Sequence, residues 1–365
     1  MTLPATTCPS PQAVQTVQSY FEDWVERHGR ANLRPSSIAS YRGVIRNYIV
    51  PTLGQVELQQ LTAPMIDDLL GALIDRGLSP GVVRLVRKTM GAALEQARKY
   101  QYIPSNPTKN LITRLPKDAR TPDPYTIAQL QQLLSRAIGT RWEMPILLAA
   151  LYGLRISEVL GLRWDHVDLE RGLFRVCEQL PFHVAAGTTL LAGMAPVKSQ
   201  ERDLPITPAA RPFFLRQRQL QQQRMELSAL GGGAYYDNRL VVSSENGAPY
   251  RRERVSTDFG RLLHSLGMPH IRFHDLRHSA ATNMHELTGD FYTVGTILGH
   301  TLRGTGLQLN LSAGLDATTA RYVSVRMDRK RAVLEAYHRA LFPRSARPAP
   351  VRPLPAAPPY RNSTR

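Results

Sequence analysis

The chain has 365 residues, 42% of them hydrophobic, which is enough for two ordinary domains with buried cores and excludes a disordered chain. Lysine and arginine number 46 against 29 acidic residues, so the net charge of +17 favours a polyanionic partner, most commonly nucleic acid, over a basic protein with no special partner. Cys8 and Cys177 are the only cysteines, which excludes a disulfide framework and a cysteine-built zinc site and favours a reducing, intracellular setting.

The N-terminus and the most apolar run argue against export or membrane insertion. Residues 1–11 have neither a basic start nor an apolar stretch, so we interpret them as a loose leader and not as a signal peptide. The longest apolar run, 144–154, contains Pro145 and is too short to cross a bilayer. These features predict a cytoplasmic protein without a membrane partner.

Residues 12–105 predict a small, all-helical domain. Apolar residues recur at helical spacing over 14–24 and again over 38–48. The stretch 62–77 predicts a helix with a threonine N-cap and a glycine stop, and Ser79-Pro80 predicts the start of the next helix. Basic residues lie on the outward faces of these helices. Such faces are usually only solvated, but in so basic a chain a phosphate-contacting face is an equal alternative. The candidate DNA-binding residues are Arg42, Arg46, Arg84, Arg87 and Lys88.

A basic, proline-rich linker at 106–124 follows, and such a segment is semi-extended and can lie along a nucleic-acid backbone. Residues 125–342 form the second predicted domain, and 343–365 predict a disordered basic tail rich in proline. Within the second domain we predict helices near 126–134, over 144–154, after Arg155, over 208–227 and from 251 to 341, with short strands at 173–177, around 189–191, at 202–206 and at 240–243.

One short stretch of the second domain carries residues suited to a phosphate. His274 and Arg277 lie three positions apart at a predicted helix start, so they share a face beside the free N–H groups and positive dipole end. Taken alone, a His-x-x-Arg pair is more often a solvated or satisfied pair than a functional site. Three other motifs accompany it in the chain: Gly153-Leu154-Arg155-Ile156-Ser157-Glu158, Leu298-Gly299-His300 and Thr318-Thr319-Ala320-Arg321-Tyr322.

These residue types can cleave and rejoin DNA without a metal or ATP. The sequence contains no P-loop, no acidic cluster of metal-binding spacing and no Gly-x-Ser-x-Gly motif. Two arginines can clamp a phosphodiester and stabilise the charge of a pentacovalent transition state. A tyrosine oxygen can attack the phosphorus and store the bond as a phosphotyrosine, while a lysine or histidine protonates the leaving hydroxyl.

In this combination the motifs resemble those of tyrosine recombinases of the phage integrase family, over nearly the whole chain. The resemblance implies a mostly α fold with a small antiparallel β-sheet, built from a helical, SAM-like core-binding domain and an α+β catalytic domain. It also implies that Glu158 supports the first catalytic arginine. The catalytic residues that the resemblance implies are, in chain order, Arg155, Lys198, His274, Arg277, His300 and the nucleophile Tyr322. Lys198 precedes the strand at 202–206 and would act as the general acid; a solvated hairpin lysine is the alternative.

Two other side chains compete for roles. His278 could be a third imidazole at the site, but we expect it to pack or to meet a backbone oxygen. Tyr292 is a second candidate nucleophile, but it precedes His300, so we expect it in the core.

The sequence departs from the family pattern at two places. Between His300 and Tyr322, residues 302–314 resemble a glycine-containing insertion, which could free the nucleophile, let it reach a neighbouring protomer or lower activity. Before residue 12 we expect no separate domain for binding arm sites.

The function implied is site-specific recombination of double-stranded DNA, of the kind used by phages and mobile elements, through a 3′-phosphotyrosyl intermediate and a Holliday junction. The resemblance further implies a homotetramer, an accessory DNA-bending or directionality factor, and association with a bacterial nucleoid. The apolar stripe near 328–341 could dock on a neighbouring protomer or within its own domain. The alternatives are a type IB topoisomerase, which would relax supercoils as a monomer, and a non-catalytic DNA-binding protein on the same fold.

Overall fold

The computed structural model describes residues 15–32, 35–115, 122–180, 194–197, 200–231, 233–300 and 325–343. The chain divides into two compact units, at residues 1–121 and 122–365. No helix among the described residues is long and apolar enough to cross a membrane.

The first unit is helical. Its helices are α1 Val17–Asn32, α2 Pro35–Val44, α3 Val50–Leu53, α4 Ala63–Asp75 and α5 Pro80–Lys99. A π-helical turn, Ile45–Ile49, joins α2 to α3. Helix α5 starts where the sequence predicts, because Pro80 takes the first helical position, where its missing N–H costs nothing. Its apolar stripe is fully buried in the core of the unit, with Val83, Val86 and Met90 at helical spacing.

The first residues of the predicted linker are bonded to this first unit. The side-chain amide of Asn106 donates to the carbonyl of Gly91 at 3.2 Å. The carboxylate of Asp67 on α4 accepts the backbone N–H groups of Ile112 and Thr113 at 3.1 and 2.9 Å. Residues 106–115 therefore lie against α4 and α5 in the part of the linker that the structure describes.

The second unit is also mainly helical. Its helices are α6 Ile127–Ala137, α7 Glu143–Tyr152, α8 Ile156–Gly161, α9 Arg211–Leu230, α10 Arg252–Ser265, α11 Asp275–Thr288, α12 Phe291–Leu298 and α13 Met327–Leu341. The strands are β1 Val167–Asp168, β2 Leu173–Val176, β3 Glu178–Gln179, β4 Ala195–Pro196 and β5 Arg202–Pro205. They form an antiparallel sheet of order β1-β2-β5, in which Phe174 opposes Leu204, and an antiparallel pair β3-β4.

Helix α7 lies at the centre of this unit, and all of its residues from Glu143 to Tyr152 are buried. Helix α13 packs on it, where the hydroxyl of Tyr337 donates to the carbonyl of Ala150 at 2.8 Å. Leu334 on α13 is fully buried as well, and each large apolar side chain removed from water stabilises the docked helix by about 1.5–3 kcal/mol. The apolar stripe of this C-terminal helix therefore packs within its own unit.

The predicted fold class, mostly α with small antiparallel sheets, is confirmed. The strand predicted at 240–243 is wrong: Leu240 makes only an isolated antiparallel bridge with Arg163. The strand predicted around 189–191, the 302–314 insertion and the tail beyond residue 343 lie outside the described residues.

Candidate active site

A cleft of about 380 Å³ in the second unit collects four of the six predicted catalytic side chains, which come from three separate segments. Arg155 is the N-cap of α8, His274 and Arg277 stand at the start of α11, and His300 follows the end of α12. His278 also lines this cleft.

Arg277 is held rigidly inside the protein. Its guanidinium donates to the carbonyl of Gly153 at 2.7 Å and to the carbonyl of Leu298 at 2.8 Å, and the residue is 4% exposed. Burial, and then the charge of nearby Arg155, lower the pKa of Arg277 to about 9. Gly153 ends α7 with φ +63°, and a Cβ there would lie 2.3 Å from a methyl carbon of Leu298. The glycine therefore permits the close approach that brings its carbonyl to Arg277.

Arg155 is oriented by Glu158, as the motif predicts. One carboxylate oxygen of Glu158 accepts the backbone N–H of Arg155 and the other accepts its guanidinium, both at 3.0 Å. Glu158 is 1% exposed, whereas the side chain of Arg155 keeps 29% of its surface in the open cleft. The buried carboxylate thus holds a guanidinium that can still meet an anion.

Arg202 is a functional candidate that the sequence analysis missed. It is the first residue of β5 and is 5% exposed. Its guanidinium donates at 2.9 Å to Oε2 of Glu158, the oxygen that also accepts the backbone N–H of Arg155. Its Nε also donates to the carbonyl of Ile297 at 2.6 Å. The available signal was strand alternation, which places Arg202 on the same face as the buried Leu204.

His274 and His300 have lowered pKa values, which favours the neutral form of these two imidazoles at pH 7. Burial, and then Arg277, Arg155, Arg202 and His278, lower the pKa of His300 to about 4. For His274, which is an exposed residue of the cleft, partial burial and then His278 and Arg277 lower the pKa. The rings of His274 and His278 meet edge to face, with centroids 5.4 Å apart, so His278 contacts a predicted catalytic residue.

Two family models match the chain. The model of the phage integrase family matches residues 124–305, and the model of the N-terminal SAM-like domain of phage integrases matches residues 16–73. The chain belongs to the phage integrase family. It is a tyrosine site-specific recombinase.

Relatives of this integrase include a tyrosine recombinase XerC-like protein from Caldanaerobacter subterraneus subsp. tengcongensis. It is 24% identical over 301 residues, covering 78% of this chain and 76% of the relative. An integrase from Streptomyces ambofaciens is 24% identical over 288 residues, covering 78% of this chain and 73% of the relative.

Two solved structures share the integrase fold. The Tn1549 transposon integrase in complex with a circular intermediate DNA has a TM-score of 0.66 at 20% identity, covering 88% of this chain and 98% of that one. The lambda integrase tetramer bound to a Holliday junction has a TM-score of 0.61 at 16% identity, covering 83% and 79%.

Two of the six predicted catalytic residues of the integrase, Lys198 and Tyr322, lie outside the described residues. The prediction that Tyr292 belongs to the core is wrong, because this side chain is 47% exposed. Tyr292 lies on the outer side of α12, whose buried face carries Val294, Ile297 and Leu298.

The predicted DNA-binding residues lie on the first unit. Arg42, Arg46 and Lys88 are exposed, whereas Arg84 and Arg87 are half-buried. Arg42 donates from Nε to a carboxylate oxygen of Glu26 at 3.0 Å. A phosphate that contacted Arg42 would therefore compete with Glu26.

Proposed function

We propose that this integrase breaks one DNA strand at a time with Tyr322 and passes the broken end to a second DNA. The oxygen of Tyr322 forms a bond to the scissile phosphorus, and the bond from phosphorus to the 5′ oxygen breaks. The DNA keeps a 3′-phosphotyrosyl link to the protein and a free 5′ hydroxyl. Attack by the 5′ hydroxyl of another strand reverses the reaction and releases the tyrosine, and two such exchanges proceed through a Holliday junction.

Each cleft residue has a role in this step. Arg155 and Arg277 bind the non-bridging oxygens and stabilise the charge that builds up on the pentacovalent phosphorus. Lys198 protonates the departing 5′ oxygen. Because lowered pKa values keep His274 and His300 neutral, they can accept the tyrosine proton or donate hydrogen bonds to the phosphate. No step needs a metal ion or ATP.

The observation that carries this proposal is the convergence of Arg155, His274, Arg277 and His300 on one cleft. In the sequence these residues span 145 positions, and each motif alone is weak. Two guanidiniums and neutral imidazoles around one open space form a site for a phosphodiester.

The partners we propose are double-stranded recombination sites and three further copies of the chain, in the cytoplasm of a bacterium. The tetramer is inferred from the fold shared with lambda integrase, which was solved as a tetramer bound to a Holliday junction. The basic residues of the first unit, Arg42, Arg46, Arg84, Arg87 and Lys88, would contact the DNA backbone. An accessory DNA-bending or directionality factor completes the proposal.

A suicide-substrate experiment tests the mechanism. Nicked duplexes tiled across the DNA that flanks the gene are incubated with the protein, because loss of the short fragment beyond the nick traps the covalent intermediate. We expect a covalent adduct with the wild type and none with Tyr322→Phe, which lacks only the attacking oxygen. An adduct that survives Tyr322→Phe would mean that another residue is the nucleophile.

The adduct experiment, followed by assays of plasmid relaxation and of joining between two sites, separates the alternatives. A non-catalytic DNA-binding protein would bind these duplexes and never form an adduct. A type IB topoisomerase would form adducts and relax supercoiled plasmids as a monomer, without joining two recombination sites. The family membership and the SAM-like first domain favour the recombinase.

A further inference from the structure

We propose that Arg202 is a positioning residue that holds Arg155 and His300 in fixed relation to each other. This inference rests on the proposed function, because it assumes that Arg155 and His300 act on the same phosphate. Three described segments meet at Arg202: the start of α8, the end of α12 and β5 itself.

One side of Arg202 acts on Arg155 through Glu158. Glu158 meets both guanidiniums: Oε1 accepts from that of Arg155 at 3.0 Å, and Oε2 accepts from that of Arg202 at 2.9 Å as well as from the backbone N–H of Arg155. The side chains of Arg202 and Glu158 are 2% and 1% exposed, so this ion pair is shielded from water. A carboxylate held by the buried Arg202 cannot rotate freely, which fixes the direction in which Arg155 enters the cleft.

The other side of Arg202 acts on His300 through the end of α12. Its Nε donates to the carbonyl of Ile297, and the neighbouring carbonyl of Leu298 accepts from Arg277. These are carbonyls of the last helical turn, which have no partner within the helix. The backbone N–H of His300 in turn donates to the carbonyl of Gly295 at 2.9 Å, so the position of the histidine depends on the position of this turn.

Gly299 shows how tightly the guanidinium fits. It ends α12 with φ +71°, and a Cβ at this position would lie 2.7 Å from Nη1 and 2.9 Å from Cζ of Arg202. The guanidinium thus packs closely against the backbone between α12 and His300. A lysine at position 202 would keep the charge, but its single nitrogen cannot occupy the two positions of Nε and Nη2 that meet the Ile297 carbonyl and Glu158.

The test uses the full chain and compares Arg202→Lys with a matched variant. Arg216→Lys changes a half-buried arginine of the same unit, which forms an ion pair with Glu143 and does not line the cleft. Two quantities are measured on the nicked duplex that gives the wild-type adduct: the rate of adduct formation at saturating protein and the protein concentration that gives half of that rate. Thermal melting shows the folded fraction of each variant.

We expect Arg202→Lys to slow adduct formation about 100-fold at saturation, since a shift of about 1 Å in a catalytic group has that effect. The half-saturating concentration should stay within about twofold of the wild-type value, because Arg202 is buried and offers almost no surface to DNA. Arg216→Lys should leave both quantities at the wild-type value once the folded fraction is taken into account.

Other results overturn the proposal. If Arg202→Lys forms the adduct as fast as Arg216→Lys, Arg202 is only structural. A rise in half-saturation with no change in saturated rate would make it a DNA-binding residue instead. Absence of an adduct with the wild type on every duplex would contradict the proposed function itself.

If Arg202→Lys does not fold, Gly299→Ala provides the second variant. It leaves the charge at position 202, crowds the guanidinium and also strains the backbone, because φ at position 299 is +71°. A folded Gly299→Ala protein should show the same slow adduct formation with unchanged half-saturation, and a wild-type rate would overturn the proposal.

Discussion

The basic residues of the cleft and those of the first unit differ in what holds them. Arg277 and Arg202 are at most 5% exposed, and at least two donors of each are committed to carbonyl or carboxylate oxygens. Arg42 and Lys88 lie exposed, and the carboxylate that Arg42 meets is itself on the surface. The first set is organised before DNA arrives, whereas the second can turn toward whichever phosphate approaches.

The two sets of basic residues also differ in the hydration that they lose on folding. A buried guanidinium loses its hydration, and good hydrogen bonds must replace it. What remains is a group that need not reorganise when charge appears on the phosphorus, which is why such positions matter for rate. An exposed lysine keeps its hydration and its mobility. Its attraction to DNA releases counterions and is therefore sensitive to salt.

The largest effect should come from Arg277→Lys. The lysine keeps the charge but loses the planar fork that bonds Gly153 and Leu298, so the transition-state contact is displaced. Adduct formation at saturating protein should fall about 10²–10³-fold, as measured by quenched single-turnover reactions.

Lys88→Ala is the contrasting variant. It should weaken binding in a gel-shift assay and lower the slope of log affinity against log salt by about one. The saturated rate should not change. Equal loss of saturated rate in both variants would remove the distinction between the two sets.

An intermediate effect is expected from pH. Protonation of His300 is opposed by burial and by Arg277, Arg155, Arg202 and His278, which lower its pKa to about 4. The functional neutral form should therefore persist as pH falls from 7.5 to 5.5, and the saturated rate should change less than about twofold. An unperturbed histidine of pKa about 6.5 would lose about tenfold over the same interval. Tryptophan fluorescence at each pH would verify that the protein remains folded.

The smallest effect should come from Glu26→Gln, which releases Arg42 from its ion pair on the first unit. Exposed ion pairs are worth about 0.2–1 kcal/mol, so DNA affinity should rise by at most about fivefold at low salt. Asp23→Asn is the matched control, because it releases Arg27, which is not a predicted DNA contact. An equal rise in both variants would indicate only the change in net charge.

Helix starts could be predicted from the sequence because their causes are local. Thr126 and Gln129 form a capping box within four residues, and Pro80 occupies the first position of α5. Four catalytic candidates were predicted through their motifs, and the structure brings those four together.

The features that escaped prediction depend on distant partners. Arg202 resembles an ordinary strand residue until Glu158, far away in the sequence, is placed beside it. The exposure of Tyr292 was missed because its position before His300 argues against a role as nucleophile but does not determine on which side of α12 it lies. The stripe on α13 was visible, but its docking site was not, since nothing local identifies α7 as the partner.

Gly299 has a consequence for how this family can diverge. Because the space beside its α-carbon is filled by the guanidinium of Arg202, the two positions are not independent. A side chain at 299 is opposed twice, by this guanidinium and by the left-handed backbone at φ +71°. The arginine at 202 thus depends on a glycine nearly one hundred positions later, and wherever the arginine is kept the glycine should be kept too.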